Sequence, residues 1–212
     1  MKNDPMQKRK VWVTIGILAG IFVTVFSIRA FRSFIRQHRV FVSKAAKGEG
    51  NLQANLHIVE YTDFQCPACA GGALLLKEYL TRYPDRLYVE YRHFPLDMHP
   101  RAKDVAIAAE CAARQKKFWK FYDLAFERQA LLRESINFSQ RLLEIAELAH
   151  LKKTEFEKCL ADPQAARAVE EDRAEGRSRQ VKATPTFFLN NDQMVVGSIK
   201  LQEELEKRLG KP

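Results

Sequence analysis

Apolar and polar positions follow two different periods along this chain of 212 residues. Alternating or continuous apolar runs predict β-strands at 56–64, 87–94, 184–189 and 193–197. Helical spacing predicts a first helix over 70–83, a helical block from 100 to about 180, and a closing helix over 199–209. The strand–helix–strand start favours a parallel crossover, and the later strand pair favours a hairpin. The pattern therefore predicts an α/β domain of the order βαβ, helical insertion, ββα.

The N-terminal part of the chain has a different pattern. Residues 11–28 form a run of eighteen without a charged side chain. A helix of that length covers about 27 Å, close to the hydrocarbon thickness of a bilayer. A basic tail, residues 1–10, precedes the run, and Ser27–Ala30 is a poor match to a signal-peptide cleavage site. We therefore predict an uncleaved transmembrane anchor over 11–28, in preference to a cleaved signal peptide.

Residues 29–51 connect the predicted anchor to a domain over 52–212. Four basic side chains lie together on a helical wheel, opposite the apolar residues: Arg29, Arg32, Arg36 and Arg39. The segment is either an amphipathic helix, on the membrane surface or against a partner helix, or a solvated linker that is helical only in part. A short polar linker follows over 44–55, and the domain begins near Leu52.

The basic charge belongs to the N-terminal part and not to the domain. The chain has a formal net charge of +9. Residues 1–50 contain ten Lys/Arg and two Asp/Glu, a balance of +8, whereas residues 51–212 contain 25 and 24, a balance of +1. A nucleic-acid-binding domain would have this charge on its own surface. We therefore exclude nucleic acid as a partner.

The motif Cys66-Pro67-Ala68-Cys69 carries the candidate chemistry, because it lies between the first predicted strand and its helix. Backbone N–H groups at a helix start stabilise a thiolate, so this placement is typical of thiol–disulfide exchange. The spacing also supplies half of many zinc sites, but no second short-spaced Cys or His pair exists in the sequence. His93 and His99 are six apart and the remaining cysteines are isolated. We predict a redox dithiol and no metal or other cofactor.

Together with the order of elements, five stretches resemble the DsbA-like branch of the thioredoxin-fold thiol–disulfide oxidoreductases. They are EYTDFQCPAC at 60–69, FPLDMH at 94–99, AAECA at 108–112, FEKCL at 156–160 and ATPTFF at 183–188. The resemblance covers about residues 52–209. It implies a thioredoxin fold with a helical insertion, preceded here by the predicted transmembrane helix.

The resemblance also implies roles for the residues of the dithiol site. Cys66 resembles the exposed attacking thiolate, and Cys69 the more buried resolving thiol. Pro185 resembles a cis-proline that faces the site, with Thr184 before it, and the backbone there can pair with a substrate strand. The alternative for Thr184-Pro185 is an ordinary proline at a strand entry.

Three further residues are implied to modulate the redox chemistry. Glu60 matches an acidic residue buried beneath the dithiol that assists proton movement at Cys69, although it could instead face solvent on a sheet edge. Pro67 and Ala68 tune the reduction potential. Because this dipeptide lacks the histidine of the Pro-His members, the resemblance implies a weaker oxidant.

Cys111 and Cys159 are expected to form a structural disulfide within the helical insertion, and the resemblance strengthens this expectation. Each lies on a predicted helix outside the exchange motif. The alternative is that both are small buried side chains with free thiols, as is common for cysteine. An oxidising compartment would favour the disulfide if the two Cα atoms come within about 7 Å.

These observations suggest a membrane-anchored protein-disulfide oxidoreductase, with oxidase activity favoured over isomerase or reductase activity. Its expected partners are reduced or unfolded secreted proteins and a membrane quinone-linked thiol oxidase that reoxidises the pair. A long domain can cross the membrane largely regardless of flanking charge, so we place it on the periplasmic side of the inner membrane. The alternative is a non-catalytic module that binds Cu(I) through its thiolates or acts as a chaperone-like subunit.

Overall fold

In the N-terminal unit of the computed structural model, the described residues 12, 15 and 17–33 are helical and their side chains are exposed. The predicted anchor includes positions 11, 13, 14 and 16, which lie outside the described residues, as do the basic tail and residues 34–45. No helix among the described residues is long and apolar enough to cross a membrane. The residues that the structure describes are 12, 15, 17–33, 46–133 and 136–211.

The second unit, residues 42–212, is built on a five-stranded sheet within its described part. The strands lie in the order β1-β3-β2-β4-β5. β2 and β3 are parallel, and the other neighbouring pairs are antiparallel. β2 is therefore an inner strand with a partner on each side. The strands are β1 (Gly48–Gly50), β2 (Leu56–Thr62), β3 (Leu87–His93), β4 (Thr186–Leu189) and β5 (Gln193–Val196).

Eight helices accompany the sheet in the described part of this unit. Six of them, α2 to α7, form the helical insertion that the sequence pattern predicts over about 100–180. Two helices begin with a proline, a residue that is well tolerated in the first turn. The helices are α1 (Pro67–Arg82), α2 (Ala102–Arg114), α3 (Phe118–Glu127), α4 (Gln129–Arg133), α5 (Phe138–Leu148), α6 (Lys153–Leu160), α7 (Pro163–Ser178) and α8 (Ser198–Leu209).

Two of the three apolar clusters among the described residues hold most of these layers together. The first lies between the sheet and helices α1 and α8, where Ile58 and Phe187 pack with Leu76, Leu201 and others. The second lies in the helical insertion and includes aromatic side chains of α3 packed around Phe64. The predicted element order is confirmed, and the fold is thioredoxin-like.

The edge strand β1 was not expected, because the sequence pattern predicts a polar linker over 44–55. The three residues of β1 include two glycines and show no apolar alternation. Contacts with residues far along the chain hold this segment in the sheet. Lys47, which precedes β1, is buried, and its Nζ lies 2.6 Å from Asp172 Oδ2 and 3.3 Å from Glu110 Oε2. The indole N–H of Trp119 donates to the Gly48 carbonyl at 3.0 Å. These contacts attach the start of the domain to the helical insertion.

A disulfide joins Cys111 of α2 to Cys159 of α6, across a sequence separation of 48 residues. Both helices belong to the insertion, so the bond links the first helix of the insertion to its fifth. Cys66 and Cys69, by contrast, are free thiols.

Candidate active site

The two thiols lie at the junction of β2 and α1. Cys66 is the N-cap of α1, and Pro67 occupies the first helical turn. The backbone N–H of Cys69 donates to the Cys66 carbonyl at 3.0 Å, which starts the helix directly at the motif. The resemblance implies an exposed Cys66, but only 8% of this residue is exposed and Cys69 is completely buried. Both thiols are therefore buried, Cys69 more deeply than Cys66.

The surroundings of the two sulfurs displace their pKa values in opposite directions. A hydrogen bond from the Cys69 thiol, helped by Thr184 and the backbone N–H groups of Ala68 and Cys69, lowers the pKa of Cys66 to about 5 against the effect of burial. Burial, and next the neighbouring Cys66 sulfur, raise the pKa of Cys69 well above its ordinary value. At neutral pH the pair therefore holds one thiolate and one thiol, and the thiolate is the reactive form.

Thr184 and Pro185 lie against the dithiol from the start of β4. Their peptide bond is cis, and the Thr184 carbonyl oxygen lies 3.3 Å from Cys66 Sγ, where it can accept a hydrogen bond from the protonated thiol. Helix α1 approaches this segment closely at Gly72, where an added Cβ would lie 3.1 Å from Phe187 and 3.5 Å from Pro185. The structure thus brings together the dithiol and the Thr184-Pro185 segment that the sequence singles out, although Cys66 and Thr184 are 118 residues apart.

Glu60 lies in the interior, in the middle of β2. Its register partners are Tyr91 on β3 and Phe187 on β4, so it is not on a sheet edge. Its Oε2 accepts a hydrogen bond from the Tyr122 hydroxyl at 3.0 Å. Burial raises the pKa of Glu60 to about 8, while the hydrogen bond from Tyr122 acts in the opposite direction. This carboxyl can therefore gain or lose a proton near neutral pH.

Polar side chains that the sequence analysis did not assign hold the loop before the dithiol. The Gln129 amide donates to the carbonyls of Phe64 and Cys66, each at 2.9 Å. The buried Asp63 carboxylate accepts from the Gln65 and Leu96 N–H groups and lies 2.8 Å from His99 Nδ1. The role of Asp63 could have been suspected from the sequence, since it stands three positions before Cys66. The role of Gln129 could not, because its partners are 63 and 65 residues away.

No group of three or more His, Cys, Asp or Glu side chains is arranged for a metal ion in the described part of the chain. His93 and His99 have separate surroundings. His93 is buried 3.5 Å from Glu110 Oε2, and His99 lies beside Asp63.

Residues 46–209 match the model of a protein family described as Thioredoxin. The chain belongs to this thioredoxin family. Among solved structures, this thioredoxin-family chain is similar to DsbA2 of Pseudomonas aeruginosa, with 25% identity, a TM-score of 0.58, and coverage of 76% of this chain and 93% of that one. It is also similar to BdbD of Bacillus subtilis, with 20% identity, a TM-score of 0.65, and coverage of 78% and 93%.

A third solved structure, alpha-DsbA1 of Wolbachia pipientis, is 22% identical with a TM-score of 0.65, and the match covers 77% of this chain and 90% of that one. The resemblance to DsbA-like thiol–disulfide oxidoreductases is thereby confirmed. Family and fold support a disulfide oxidoreductase. The predicted membrane anchoring of this thioredoxin-family member stays a prediction.

Curated relatives of the thioredoxin-family chain include much longer proteins named Na(+)/H(+) antiporter NhaA. NhaA 3 of Salinispora tropica is 39% identical over 142 residues, which make up 66% of this chain and 21% of that protein. NhaA 1 of Salinispora arenicola is 33% identical over 183 residues, 86% of this chain and 25% of that protein. The chain spans a quarter or less of these relatives, so their transport activity is not assigned to it.

Proposed function

We propose that this chain is a membrane-anchored, extracytoplasmic thiol–disulfide oxidoreductase that introduces or exchanges disulfides in secreted proteins through Cys66 and Cys69. One observation carries the proposal. A single helical turn holds a sulfur whose pKa is lowered to about 5 and a buried sulfur whose pKa is raised. A good leaving thiolate beside a protected thiol is the arrangement that disulfide transfer requires.

In the oxidising direction, a substrate thiolate attacks Cys66 Sγ in the Cys66–Cys69 disulfide. A substrate–Cys66 disulfide forms, and Cys69 leaves with the bonding electron pair and takes up a proton. A second substrate thiolate then attacks the substrate sulfur of this mixed disulfide, and Cys66 leaves as a thiolate. The substrate loses two electrons and the dithiol gains them. A membrane quinone-linked thiol oxidase accepts these electrons when it reoxidises the pair.

The residues around the dithiol have supporting roles in this proposal. The Thr184 carbonyl is 3.3 Å from Cys66 Sγ, so the backbone at Thr184 and Pro185 lies where a substrate strand attached to Cys66 would pass. Glu60 exchanges a proton with Cys69. Pro67 and Ala68 place no cationic side chain beside Cys66, so we expect a weaker oxidant than the Pro-His members.

The site of action is proposed to be the periplasmic side of the inner membrane, with residues 11–28 as the anchor. The Cys111–Cys159 disulfide supports it, because structural disulfides persist in oxidising compartments. A membrane-impermeant thiol reagent applied to spheroplasts should modify Cys66. Modification that occurs only after lysis would place the domain in the cytoplasm.

The deciding experiment measures disulfide transfer to a reduced, unfolded protein by the oxidised chain and its Cys66→Ser variant. The wild type should transfer its disulfide, and the variant should not. With a disulfide-bonded substrate, a Cys69→Ala variant should instead accumulate a mixed disulfide at Cys66, because the Cys66 thiolate opens the substrate disulfide, one substrate sulfur leaves as a thiolate, and no Cys69 thiol is present to release the substrate. If the wild type transfers nothing but binds Cu(I) with both thiols, the protein is a non-catalytic metal-binding module.

The assignment of the two sulfurs has its own test. Brief alkylation of the reduced protein at mildly acidic pH, followed by mass spectrometry of the peptides, should find the label on Cys66. Faster labelling of Cys69 would reverse the roles. A redox-buffer titration then gives the reduction potential, which determines whether oxidation or reduction of substrates is favoured.

A further inference from the structure

Helix α3 of the insertion places one polar group, the Tyr122 hydroxyl, beside the Glu60 carboxyl. The Tyr122 hydroxyl donates to Glu60 Oε2 at 3.0 Å, between residues 62 apart in sequence. Both residues are buried. The Tyr122 ring is held from several sides by aromatic neighbours within 4.8–6.0 Å between ring centroids: Phe64, Tyr91, Phe118, Trp119 and Phe126. The hydroxyl therefore has a defined position.

Glu60 has few other polar contacts. Its second oxygen, Oε1, is buried and has no hydrogen-bond partner among the residues that the structure describes. The titratable groups that interact with Glu60 are Tyr122 of α3 and Tyr91 of β3, and Cys69 of α1 interacts with the same two hydroxyls. On its own strand the buried Thr62 hydroxyl has no hydrogen-bond partner among the described residues, and the β4 residue in register, Phe187, is apolar. Tyr122 is thus the main hydrogen-bond donor to the carboxyl.

Glu60 and Cys69 share these neighbours. Cys69, Tyr91 and Tyr122 belong to one buried cluster, and the Tyr122 hydroxyl bonds to Glu60. The charges of Glu60 and Cys69 both act on the hydroxyls of Tyr91 and Tyr122. Glu60 and Cys69 are therefore linked through the same two buried tyrosine side chains.

We propose that Tyr122 is a positioning residue that orients Glu60 and keeps part of it ionised, so that Glu60 can accept the proton of Cys69. This inference rests on the proposed function. In the step concerned, the Cys69 thiol gives its proton to the Glu60 carboxylate, and its sulfur attacks Cys66 Sγ of a mixed disulfide. The Cys66–Cys69 bond forms, and the partner sulfur leaves as a thiolate with the electron pair.

The chain offers a matched pair of variants, Tyr122→Phe and Tyr91→Phe. Each removes one buried phenolic oxygen from the same aromatic cluster. The Tyr91 hydroxyl has no hydrogen-bond partner among the described residues, whereas the Tyr122 hydroxyl bonds to Glu60. Any effect of general packing should appear in both variants. An effect of the hydrogen bond should appear in Tyr122→Phe alone.

The first measurement is a carbon NMR titration of the Glu60 carboxyl in the reduced full-length chain. A hydrogen bond to a charged group corresponds to about one to two pH units in a titration midpoint. The midpoint should therefore rise by about that amount in Tyr122→Phe and stay in place in Tyr91→Phe. Equal midpoints in all three proteins, or equal rises in the two variants, would overturn the proposal. This readout does not depend on disulfide transfer.

The second measurement follows release of glutathione from a preformed Cys66–glutathione disulfide as a function of pH. Tyr122→Phe should release it about tenfold more slowly at neutral pH, with the pH profile displaced upward by the same amount as the NMR midpoint. Tyr122→Phe should have no added effect on Glu60→Gln. An additive effect in the double variant would show a merely structural role. If neither the wild type nor any variant shows thiol–disulfide exchange, the proposed function is wrong. The NMR titration still tests separately whether Tyr122 controls the ionisation of Glu60.

Discussion

Replacing Glu60 by glutamine should remove a large part of the pH dependence of stability. Burial raises the pKa of Glu60 to about 8 in the folded chain, against an ordinary value of 4.5. The folded state therefore holds a proton that the unfolded state releases between these pH values. Stability is lost as pH rises through this interval, and the loss is complete above about pH 8.

The magnitude follows from the two pKa values. Each pH unit within the interval changes the free energy of unfolding by about 1.4 kcal/mol. Between pH 5 and pH 8 the wild type should therefore lose about 3 kcal/mol relative to Glu60→Gln. The glutamine keeps the size of the side chain and an oxygen that can accept from Tyr122. Any constant difference between the proteins cancels when only the slope with pH is compared.

The assay is urea unfolding at a series of pH values, followed by the fluorescence of Trp119. A Trp12→Phe background leaves Trp119 as the single tryptophan of the chain. Both proteins are kept in the same redox state, so that the two thiols contribute equally. Glu203→Gln, at an exposed position on α8, is the matched control and should follow the wild type. If Glu60→Gln has the same pH slope as the wild type, Glu60 does not titrate in this interval and our account of the buried carboxyl is refuted.

Three stability measurements by urea unfolding test other parts of the structure. Lys47→Met leaves two buried carboxylates without their closest cation and should lower stability by about 3 kcal/mol or more, and a loss below about 1 kcal/mol would contradict this. Gly176→Ala should lower the free energy of unfolding by about 1–3 kcal/mol, because the added Cβ would lie under 3.0 Å from two aromatic rings. Gly71→Ala is the matched control: its Cβ would make ordinary contacts only, so the free energy of unfolding should stay the same or rise by up to about 1 kcal/mol. Replacing Cys111 and Cys159 together by alanine should lower stability by roughly 4 kcal/mol, since the bond closes a loop of 48 residues; unchanged stability would argue against the bond.

Much of the fold could be predicted because its information is local. The predicted strand over 56–64 corresponds to Leu56–Thr62, and the predicted closing helix over 199–209 to Ser198–Leu209. Alternation and helical spacing report which side of an element is buried, and both patterns are complete within about ten residues. The dithiol motif is local in the same way. Its position between a strand and a helix is enough to predict thiol chemistry.

The features missed from the sequence depend on partners far along the chain. Lys47 stands in a polar stretch and was assigned to a linker, but it pairs with Asp172, 125 residues away. In the sequence, Gln129 looks like any polar residue of a helix. In the structure, α4 lies beside the loop and the Gln129 amide donates to the carbonyls of Phe64 and Cys66. Hydrogen-bond partners at such separations have no periodic signal in the sequence.

Glu60 shows how the two kinds of information combine. Its place in an apolar strand and its resemblance to a buried acid are visible in the sequence, but so is the alternative of a solvent-facing edge residue. The strand order β1-β3-β2-β4-β5 places β2 inside the sheet, and the insertion covers that face with Tyr122. Residue type and local spacing therefore specify which groups can carry the chemistry. Packing of separate elements specifies which of them lose contact with water, and desolvation by that packing is what changes the pKa of a carboxyl or a thiol.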